Sequence, residues 1–237
     1  MRSLDTAKGI LVVAAHPDDE VLGAGGAIAW HRRRGDRVFI LIMGEGLGAR
    51  FSTRQAALAA TKGRGFARLH EEIMRAHRLL GVTRTFHRQF PDNRFDSVDL
   101  LDLVKAVEEV KRQVKPHVVY THHAGDLNVD HRLTCEAVLT ACRPLVGETV
   151  KQILSFEVLS STEWAPPRMD RAFLPNMFLE ISAVLNRKLK AMACYRSELR
   201  QPPHPRSLDA IRHQAKLWGA KVGVDAAEAF ELIRSVR

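Results

Sequence analysis

The chain has 237 residues, of which 46% are hydrophobic, and its 36 basic and 27 acidic residues give a formal net charge of +9. Since domains span about 100 to 200 residues, this length permits one large domain or two small ones, and we expect a single domain over residues 1–237. Neither a signal peptide nor a membrane segment fits the sequence, because the first apolar run is short and ends in a histidine and acids. We therefore expect a soluble, cytoplasmic protein.

The positive charge favours encounter with anions but does not say which anion. A nucleic-acid partner would be indicated by a basic patch interleaved with stacking aromatic residues, or by a recognised binding module. Only 6% of the residues are aromatic, and the sequence contains no such module. We therefore do not expect nucleic acid to be a partner.

The predicted elements alternate between strands and helices. The first three are a strand, a helix and a strand, at residues 10–15, 23–31 and 38–43. Two helices with apolar residues at helical spacing follow, and they end at Gly81 and before Pro116. The later elements are strands at residues 118–120, 153–159 and 173–179 and helices at residues 185–194 and 208–218. This order predicts an α/β fold with a mostly parallel sheet and helices on both faces.

The three cysteines are Cys135, Cys142 and Cys194, an odd number without the C-x-x-C spacing of a metal site. The first two lie seven residues apart and would share a face if that segment is helical. Free cysteines are usually buried and behave as small apolar residues, so we expect buried, reduced thiols.

Polar clusters follow two of the predicted strands. The motif HPDDE at residues 16–20 places an imidazole and three carboxylates after the first strand, and residues 121–132 contain three histidines and two aspartates after the strand at 118–120. Open α/β sheets bind ligands beyond the carboxyl ends of their strands. We therefore expect the two clusters to meet there and to form a metal site.

A catalytic zinc needs three protein ligands and one open position, and two histidines with one carboxylate form a familiar set. His16 and Asp19, three residues apart at the start of a helix, can turn toward one point, and His131 can supply the third ligand. Asp18 would then lie beside the metal without necessarily binding it. A general base for a metal-bound water should occupy this position.

Two other interpretations of the first cluster are weaker. The glycines at residues 23–26 open a helix after a strand, as in dinucleotide-binding proteins, but they lack the G-x-G-x-x-G spacing. Residues 16–20 also place acids where a pyrophosphate needs a neutral or positive turn. Helix capping can explain His16 or Asp19 alone, but it does not explain five clustered residues.

The motif AHPDDE at residues 15–20, the glycines that follow it, and Asp130-His131 further along resemble the zinc-dependent N-deacetylase family named after PIG-L, also called LmbE-like. Further similarities extend over most of the chain, at Gly44-Glu45, Arg68-x-x-Glu71, Phe90-Pro91-Asp92 and Ala227-Glu228-Ala229-Phe230. The resemblance implies a Rossmann-like fold, in agreement with the predicted order of strands and helices.

The resemblance also implies roles for individual residues. His16, Asp19 and His131 would bind one zinc ion per chain, although ligand type alone does not distinguish zinc from another divalent metal. Asp18 would be the base that activates a metal-bound water for attack on an N-acyl carbonyl. Asp130 would tune the neighbouring imidazoles, and its alternative role is to cap a helix.

Substrate-binding residues are also implied. Arg68 resembles a family arginine that contacts sugar hydroxyls, and Asp92 or Asp96 would join it. Many family members have a histidine where this chain has Asn128, and that histidine holds the oxyanion or protonates the leaving amine. An amide donates a hydrogen bond but delivers no proton at neutral pH. The acid would therefore be Asp18 itself or one of the histidines His122, His123 and His204.

Among these histidines we rank His204 first, because its polar, proline-stiffened loop suits the rim of a pocket. The function implied is removal of an N-acetyl group from an N-acetylglucosamine-type sugar or sugar conjugate, and the charge of +9 favours an anionic substrate. One alternative is an amidase of a larger thiol or sugar conjugate, which would share every catalytic residue. The other is a non-catalytic sugar- or nucleic-acid-binding module, which would not need a base beside a metal. The sequence does not indicate the oligomeric state.

Overall fold

The computed structural model describes residues 7–61, 64–166, 168 and 170–236, and its strands form one seven-stranded sheet. The strands are β1 (Gly9–Ala14), β2 (Arg37–Gly44), β3 (Arg84–Phe90), β4 (Val118–His122), β5 (Gln152–Phe156), β6 (Met177–Glu180) and β7 (Ala227–Ser235). Their order in the sheet is β3-β2-β1-β4-β5-β7-β6. The strands from β3 to β5 pair in parallel, whereas β7 pairs antiparallel with both β5 and β6. The predicted mostly parallel α/β sheet is confirmed.

The helices cover both faces of this sheet. They are α1 (Asp19–Arg33), α2 (Arg54–Thr61), α3 (Arg64–Leu80), α4 (Leu100–Val114), α5 (Val129–Ala141), α6 (Leu185–Met192) and α7 (Leu208–Val222). Because side chains alternate along a strand, Ile10 and Val12 of β1 pack in the core under α1, α3, α6 and α7, and Leu11 and Val13 pack in the core under α4 and α5. β1 is buried on both faces, as its continuous apolar run predicts.

The strand order reverses between β1 and β4. After β1 the chain adds β2 and β3 on one side, and it then returns to add β4 and β5 on the other side. Loops that leave the carboxyl ends of β1 and β4 therefore diverge to opposite sides of the sheet and open a crevice between them. Both predicted polar clusters begin at this crevice.

Several element boundaries differ from the predicted ones. The strand predicted at residues 153–159 ends at Phe156, and only Met177–Glu180 forms a strand in the region predicted at residues 173–179. β3 was not predicted, because this edge strand has half-exposed polar side chains that interrupt its apolar pattern. The three thiols are unpaired as expected, although Cys194 is only half-buried. No helix in the described part of the chain is long and apolar enough to cross a membrane.

Helix α1 is broken near its start. Ala24 has non-helical backbone angles (φ −138°, ψ 16°), and the Glu228 carboxylate of β7 accepts hydrogen bonds from the N–H groups of Gly26 and Ala27, each at 2.7 Å. Lys188 Nζ of α6 donates to the Leu22 carbonyl and to Glu228 Oε1, both at 2.7 Å. The buried Lys188–Glu228 pair therefore satisfies the backbone groups that the break releases.

Close packing explains the glycines of this helix. A Cβ at Gly23 would lie 2.1 Å from the Phe156 ring, and one at Gly26 would lie 2.7 Å from the Ile181 side chain. Such distances are far inside van der Waals contact, so only glycine lets α1 approach its neighbours this closely. These glycines therefore serve helix packing, and the structure supplies no reason to assign them to a dinucleotide.

Candidate metal centre and active-site cleft

The two polar clusters meet at the crevice between β1 and β4. Residues 16–20 run from the turn after β1 into the first turn of α1, and residues 126–131 run from the turn after β4 into the first turn of α5. Asp18 occupies the N-cap position of α1 with φ 107° and ψ −28°, a conformation that non-glycine residues rarely adopt. Such strain costs about 1–3 kcal/mol and persists only where the surrounding structure imposes it.

Three donor atoms at this crevice lie at nearly equal distances from one another. Asp19 Oδ2 is 3.3 Å from His16 Nδ1 and 3.3 Å from His131 Nε2, and the two nitrogens are 3.2 Å apart. Ligands of tetrahedral zinc lie about 2.0–2.1 Å from the metal and therefore about 3.3–3.4 Å from one another. The triangle has the size that a tetrahedral divalent metal requires.

Carboxylates hold the remaining ring nitrogens of both histidines. His16 Nε2 lies 2.9 Å from Asp130 Oδ2 and 3.2 Å from Asp92 Oδ1, and His131 Nδ1 lies 3.1 Å from Asp126 Oδ1. A carboxylate that accepts from one ring N–H leaves the lone pair of the other nitrogen available to a metal. Asp130 also accepts the Phe95 N–H through Oδ1, which fixes its own orientation.

The electrostatics of this cluster favour a bound cation. Burial would raise the pKa of Asp19, but His131 and the hydrogen bonds to both histidines hold it well below its usual value. Burial would lower the pKa of His16, but its hydrogen bonds to Asp130 and Asp19 raise it well above the usual value. Asp19 Oδ1 is buried and has no hydrogen-bond partner in the part of the chain that the structure describes. The donor set, its spacing and this unpartnered oxygen all fit a divalent metal.

A second set of grouped ligand atoms belongs to His16, Asp92 and Asp130. It shares the His16 ring with the first set, and it holds that ring through Nε2. The first set fits a tetrahedral metal because its donors are nearly equidistant, and the second set then supplies the carboxylates beside the imidazole.

Asp18 lies beside this centre with only 2% of its surface exposed. Its Oδ2 accepts from Arg206 Nη1 at 3.3 Å, and its backbone N–H donates to Glu20 Oε2 at 3.1 Å. Burial raises the pKa of Asp18 to about 7, with Arg206 acting in the opposite direction and the Asp19 and Glu20 charges adding to the rise.

An open cleft lies above the centre. The predicted residues His16, Asp18, Asp92 and Asn128 line it, and so do residues that the sequence analysis did not select, including Asn93, Glu198, Arg200 and Arg206. Asn128 Oδ1 accepts the Asp130 N–H at 2.8 Å, and its Nδ2 donates to Asn93 Oδ1 at 2.8 Å. The Asn128 amide is therefore used to cap α5 and to join the two walls of the cleft.

Arg68, Asp96 and His204 were predicted for substrate binding or catalysis, but they are not among the described residues that line this cleft. The Arg68 side chain is 67% exposed and reaches Glu72 on its own helix. Asp96 is exposed in a short 3₁₀ turn. The His204 ring lies against Trp164, and its Nδ1 accepts the Arg206 N–H, so it faces its own loop.

The other two candidate histidines have structural partners. His122 is fully buried, and its Nε2 accepts the Ala15 N–H at 2.8 Å. His123 Nδ1 lies 2.8 Å from Glu231 Oε2, and its Nε2 lies 2.9 Å from the Arg171 carbonyl oxygen. Neither ring lines the cleft in the described part of the chain.

Arg206 is the functional candidate that sequence reasoning missed. It follows His204 in the same proline-rich loop, donates through Nε to Ser160 Oγ at 2.6 Å, and reaches both Asp18 and Glu198 through Nη1. The composition of the loop indicated a pocket rim but did not tell which side chain turns inward. A guanidinium is long and multiply donating, and here it extends where the shorter imidazole does not.

Comparison with known proteins agrees with this α/β fold. The family model of PIG-L, described as GlcNAc-PI de-N-acetylase, matches residues 11–142, which include every residue of the candidate metal centre. An uncharacterized deacetylase of Escherichia coli K12, YaiS, is 32% identical over 183 residues, which cover 75% of this chain and 84% of that protein. The chain belongs to the PIG-L family.

Two further relatives show the range of this fold. The 4-oxalmesaconate hydratase of Pseudomonas putida KT2440 is 28% identical over 79% of this chain and 72% of its own length. The N,N'-diacetylchitobiose deacetylase of Pyrococcus horikoshii, solved with an inhibitor, superposes with a TM-score of 0.75 at 21% identity and covers 96% of this chain and 84% of that one. The second likeness is one of fold alone.

Proposed function

We propose that the protein is a divalent-metal-dependent N-deacetylase that removes the acetyl group from an N-acetylglucosamine-type sugar or sugar conjugate in the cytoplasm, with zinc as the expected metal. The observation that carries the proposal is the triangle of His16, Asp19 and His131, with the Asp18 carboxylate beside it and a cleft above it. Membership of the PIG-L family and similarity to a deacetylase support it.

His16, Asp19 and His131 would hold the metal, which when bound would polarise an amide carbonyl and make a water molecule more acidic. The protein's own residues supply the remaining chemistry. Asp18 takes a proton from the attacking water through its carboxylate, which Arg206 holds at 3.3 Å. Asp130 and Asp126 keep the His16 and His131 rings in the orientation that binding a metal requires.

The leaving amine also needs a proton. Asn128 cannot deliver one, and neither His122, His123 nor His204 lines the described cleft. Asp18 therefore serves in both steps: it receives the proton of the water and passes it to the amine. A carboxyl group that is buried beside the reacting atoms can make both transfers without a second residue.

The cleft also supports a choice of substrate. Asp92, Asn93 and Arg206 line it together and offer both acceptors and donors to sugar hydroxyls. Arg200 and Arg206 also line the cleft, together with the carboxylates of Asp18, Asp92 and Glu198. The preference for a substrate with an anionic extension over a neutral one therefore rests on the net charge of +9. An amidase acting on a larger thiol or sugar conjugate would use the same residues, so the assay must separate these substrates.

The test compares wild-type protein with Asp18→Asn on a panel of neutral and anionic N-acetylated sugars, a larger thiol conjugate and a carboxylated hydratase substrate. Wild type should release acetate from the sugars, and Asp18→Asn should keep its metal but lose about 10²–10⁴-fold in kcat, the usual contribution of a positioned base. Asp96→Asn is the matched control, because its exposed carboxylate does not line the cleft.

Three results would contradict parts of this proposal. Preserved turnover in Asp18→Asn would mean that the base is wrong. Equal kcat/KM for neutral and anionic sugars would remove the argument for an anionic extension. Turnover of only the thiol conjugate or only the hydratase substrate by metal-loaded wild type would replace the deacetylase assignment.

A further inference from the structure

Glu20 is a fully buried carboxylate that the metal centre does not use. Its Oε1 accepts from the Tyr195 hydroxyl at 2.6 Å and lies 3.1 Å from His77 Nε2. Its Oε2 accepts the backbone N–H of Asp18 at 3.1 Å. Because a carboxylate oxygen only accepts, His77 Nε2 is the donor, and His77 Nδ1 lies 2.7 Å from the Thr85 hydroxyl oxygen.

The residues that hold Glu20, directly or through His77, come from three separate parts of the fold. Tyr195 follows α6, His77 lies in α3, and Thr85 lies in β3. The Tyr195 and His77 rings are themselves buried, with 0% and 2% of their surfaces exposed, so neither donor can turn away to water. The Glu20 carboxylate is therefore held in one position before it meets Asp18.

The held carboxylate meets the backbone of Asp18 where the chain is strained. Asp18 has φ 107°, and its N–H points at Glu20 while its own carboxylate points at Arg206 and the cleft. A relaxed backbone at this residue would rotate the N–H away from Glu20 and would redirect the side chain. The hydrogen bond to Glu20 opposes that rotation.

We propose that Glu20 is a positioning residue, whose carboxylate is held by Tyr195 and His77 and in turn holds the backbone of Asp18 so that the Asp18 side chain faces the cleft. This inference rests on the proposed role of Asp18 as the proton carrier. It assigns a role to a residue that would otherwise only begin a helix.

The kinetic test compares Glu20→Gln with Glu20→Met. A glutamine keeps an oxygen that accepts from the Asp18 N–H, although its amide N–H₂ cannot accept from Tyr195 or His77, whereas methionine fills the space and accepts nothing. We expect Glu20→Met to bind metal as wild type does, to lose about 10- to 100-fold in kcat, and to keep its KM. Glu20→Gln should lose less kcat than Glu20→Met, since the hydrogen bond from the Asp18 N–H is retained.

A crystal structure of each variant tests the same inference without substrate. Asp18 should keep a positive φ in wild type and Glu20→Gln and should adopt a negative φ in Glu20→Met. If Glu20→Met does not fold, Tyr195→Phe takes its place: loss of one donor to Oε1 should lower kcat roughly fivefold and leave the metal content unchanged.

A positive φ at Asp18 in Glu20→Met, or in the Tyr195→Phe variant a kcat equal to that of wild type, would overturn the inference. So would equal loss of kcat in Glu20→Gln and Glu20→Met, because charge and not hydrogen-bond acceptance would then matter. A wild-type protein that deacetylates nothing would refute the proposed function instead, and the values of φ would still decide the role of Glu20.

Discussion

At the scale of single residues, the acids of the HPDDE motif have separate surroundings and separate roles. Asp19 faces two imidazoles, Asp18 faces a guanidinium and the cleft, and Glu20 faces a tyrosine and a third histidine. Adjacent residues at the start of a helix point in different directions, because each step along the chain turns the side chain by about 100°. In the proposed function, one short motif would therefore supply a metal ligand, a proton carrier and a buried residue that positions the carrier.

Arg206 should contribute to turnover through its contact with Asp18. We expect Arg206→Met to lower kcat/KM by about 10- to 100-fold, because a hydrogen bond to a charged group is lost at the cleft. The measurement is steady-state kinetics on the acetylated sugar that wild type turns over best. Arg187→Met, which removes an exposed guanidinium from α6, is the control and should behave as wild type. Equal kinetics in the two variants would show that the Asp18 contact does not matter.

The convergence of His16, Asp19 and His131 could be predicted from residue types and spacing, but the residues around them could not. His16 and Asp19 are close in sequence, whereas Asp126 and Arg206 reach the site through loops whose paths depend on the packing of the entire fold. Arg68 and His204 show the same limit. Their residue types suited substrate binding and proton transfer, but Arg68 pairs with Glu72 and the His204 ring packs on Trp164, away from the cleft. Loop direction is set by tertiary contacts, which leave no periodic pattern in the sequence.

At the scale of elements, helices and buried strands followed their apolar periodicity. α3 and α4 end as predicted at Gly81 and before Pro116. β7 was not predicted as a strand, although its segment Ala227–Phe230 was recognised as a point of similarity to the family. The break in α1 was also not predicted, because it depends on the Glu228 carboxylate, which lies 202 residues after Gly26.

Removal of Lys188 should destabilise the fold. Lys188→Met leaves the Glu228 charge buried without its cation and leaves the Leu22 carbonyl without its donor, so we expect a loss of about 3–5 kcal/mol in the free energy of unfolding. Urea denaturation of the metal-loaded protein measures this change. Lys190→Met changes an exposed lysine of the same helix and should cost less than about 0.5 kcal/mol. A Lys188→Met variant as stable as this control would show that the pair does not stabilise the break.

At the scale of the whole molecule, the order of the strands creates the site. The reversal between β1 and β4 brings residues 16–19 and residues 126–131 together across the crevice. These segments are far apart in the chain, because the strands β2 and β3 and the helices α2, α3 and α4 lie between them. The sequence supported this arrangement because both clusters follow apolar strand runs. A ligand that joins both segments should therefore stabilise the fold as a unit.

Metal removal should lower the thermal stability of the protein. Purified protein should contain roughly one divalent ion per chain, since three ligands converge on one point. A metal present at about 1,000 times its dissociation constant adds about 4 kcal/mol, so a chelator should lower the Tm by about 8–16 °C for a chain of this size. Asp19→Ala should hold no metal and should show no response to the chelator. Metal-free wild type after growth in zinc-replete medium, with a Tm unaffected by zinc, would refute the metal centre.

The break in α1 has a consequence for folding during synthesis. Ribosomes extend a chain at about 5–20 residues per second, so Glu228 emerges about 10–40 s after Gly26 and Ala27, whose N–H groups it accepts. During this interval α1, which begins at Asp19, lacks the carboxylate that satisfies the N–H groups at its break. The first turn of this helix, beside the candidate metal centre, is therefore synthesised long before the residue that stabilises the bend.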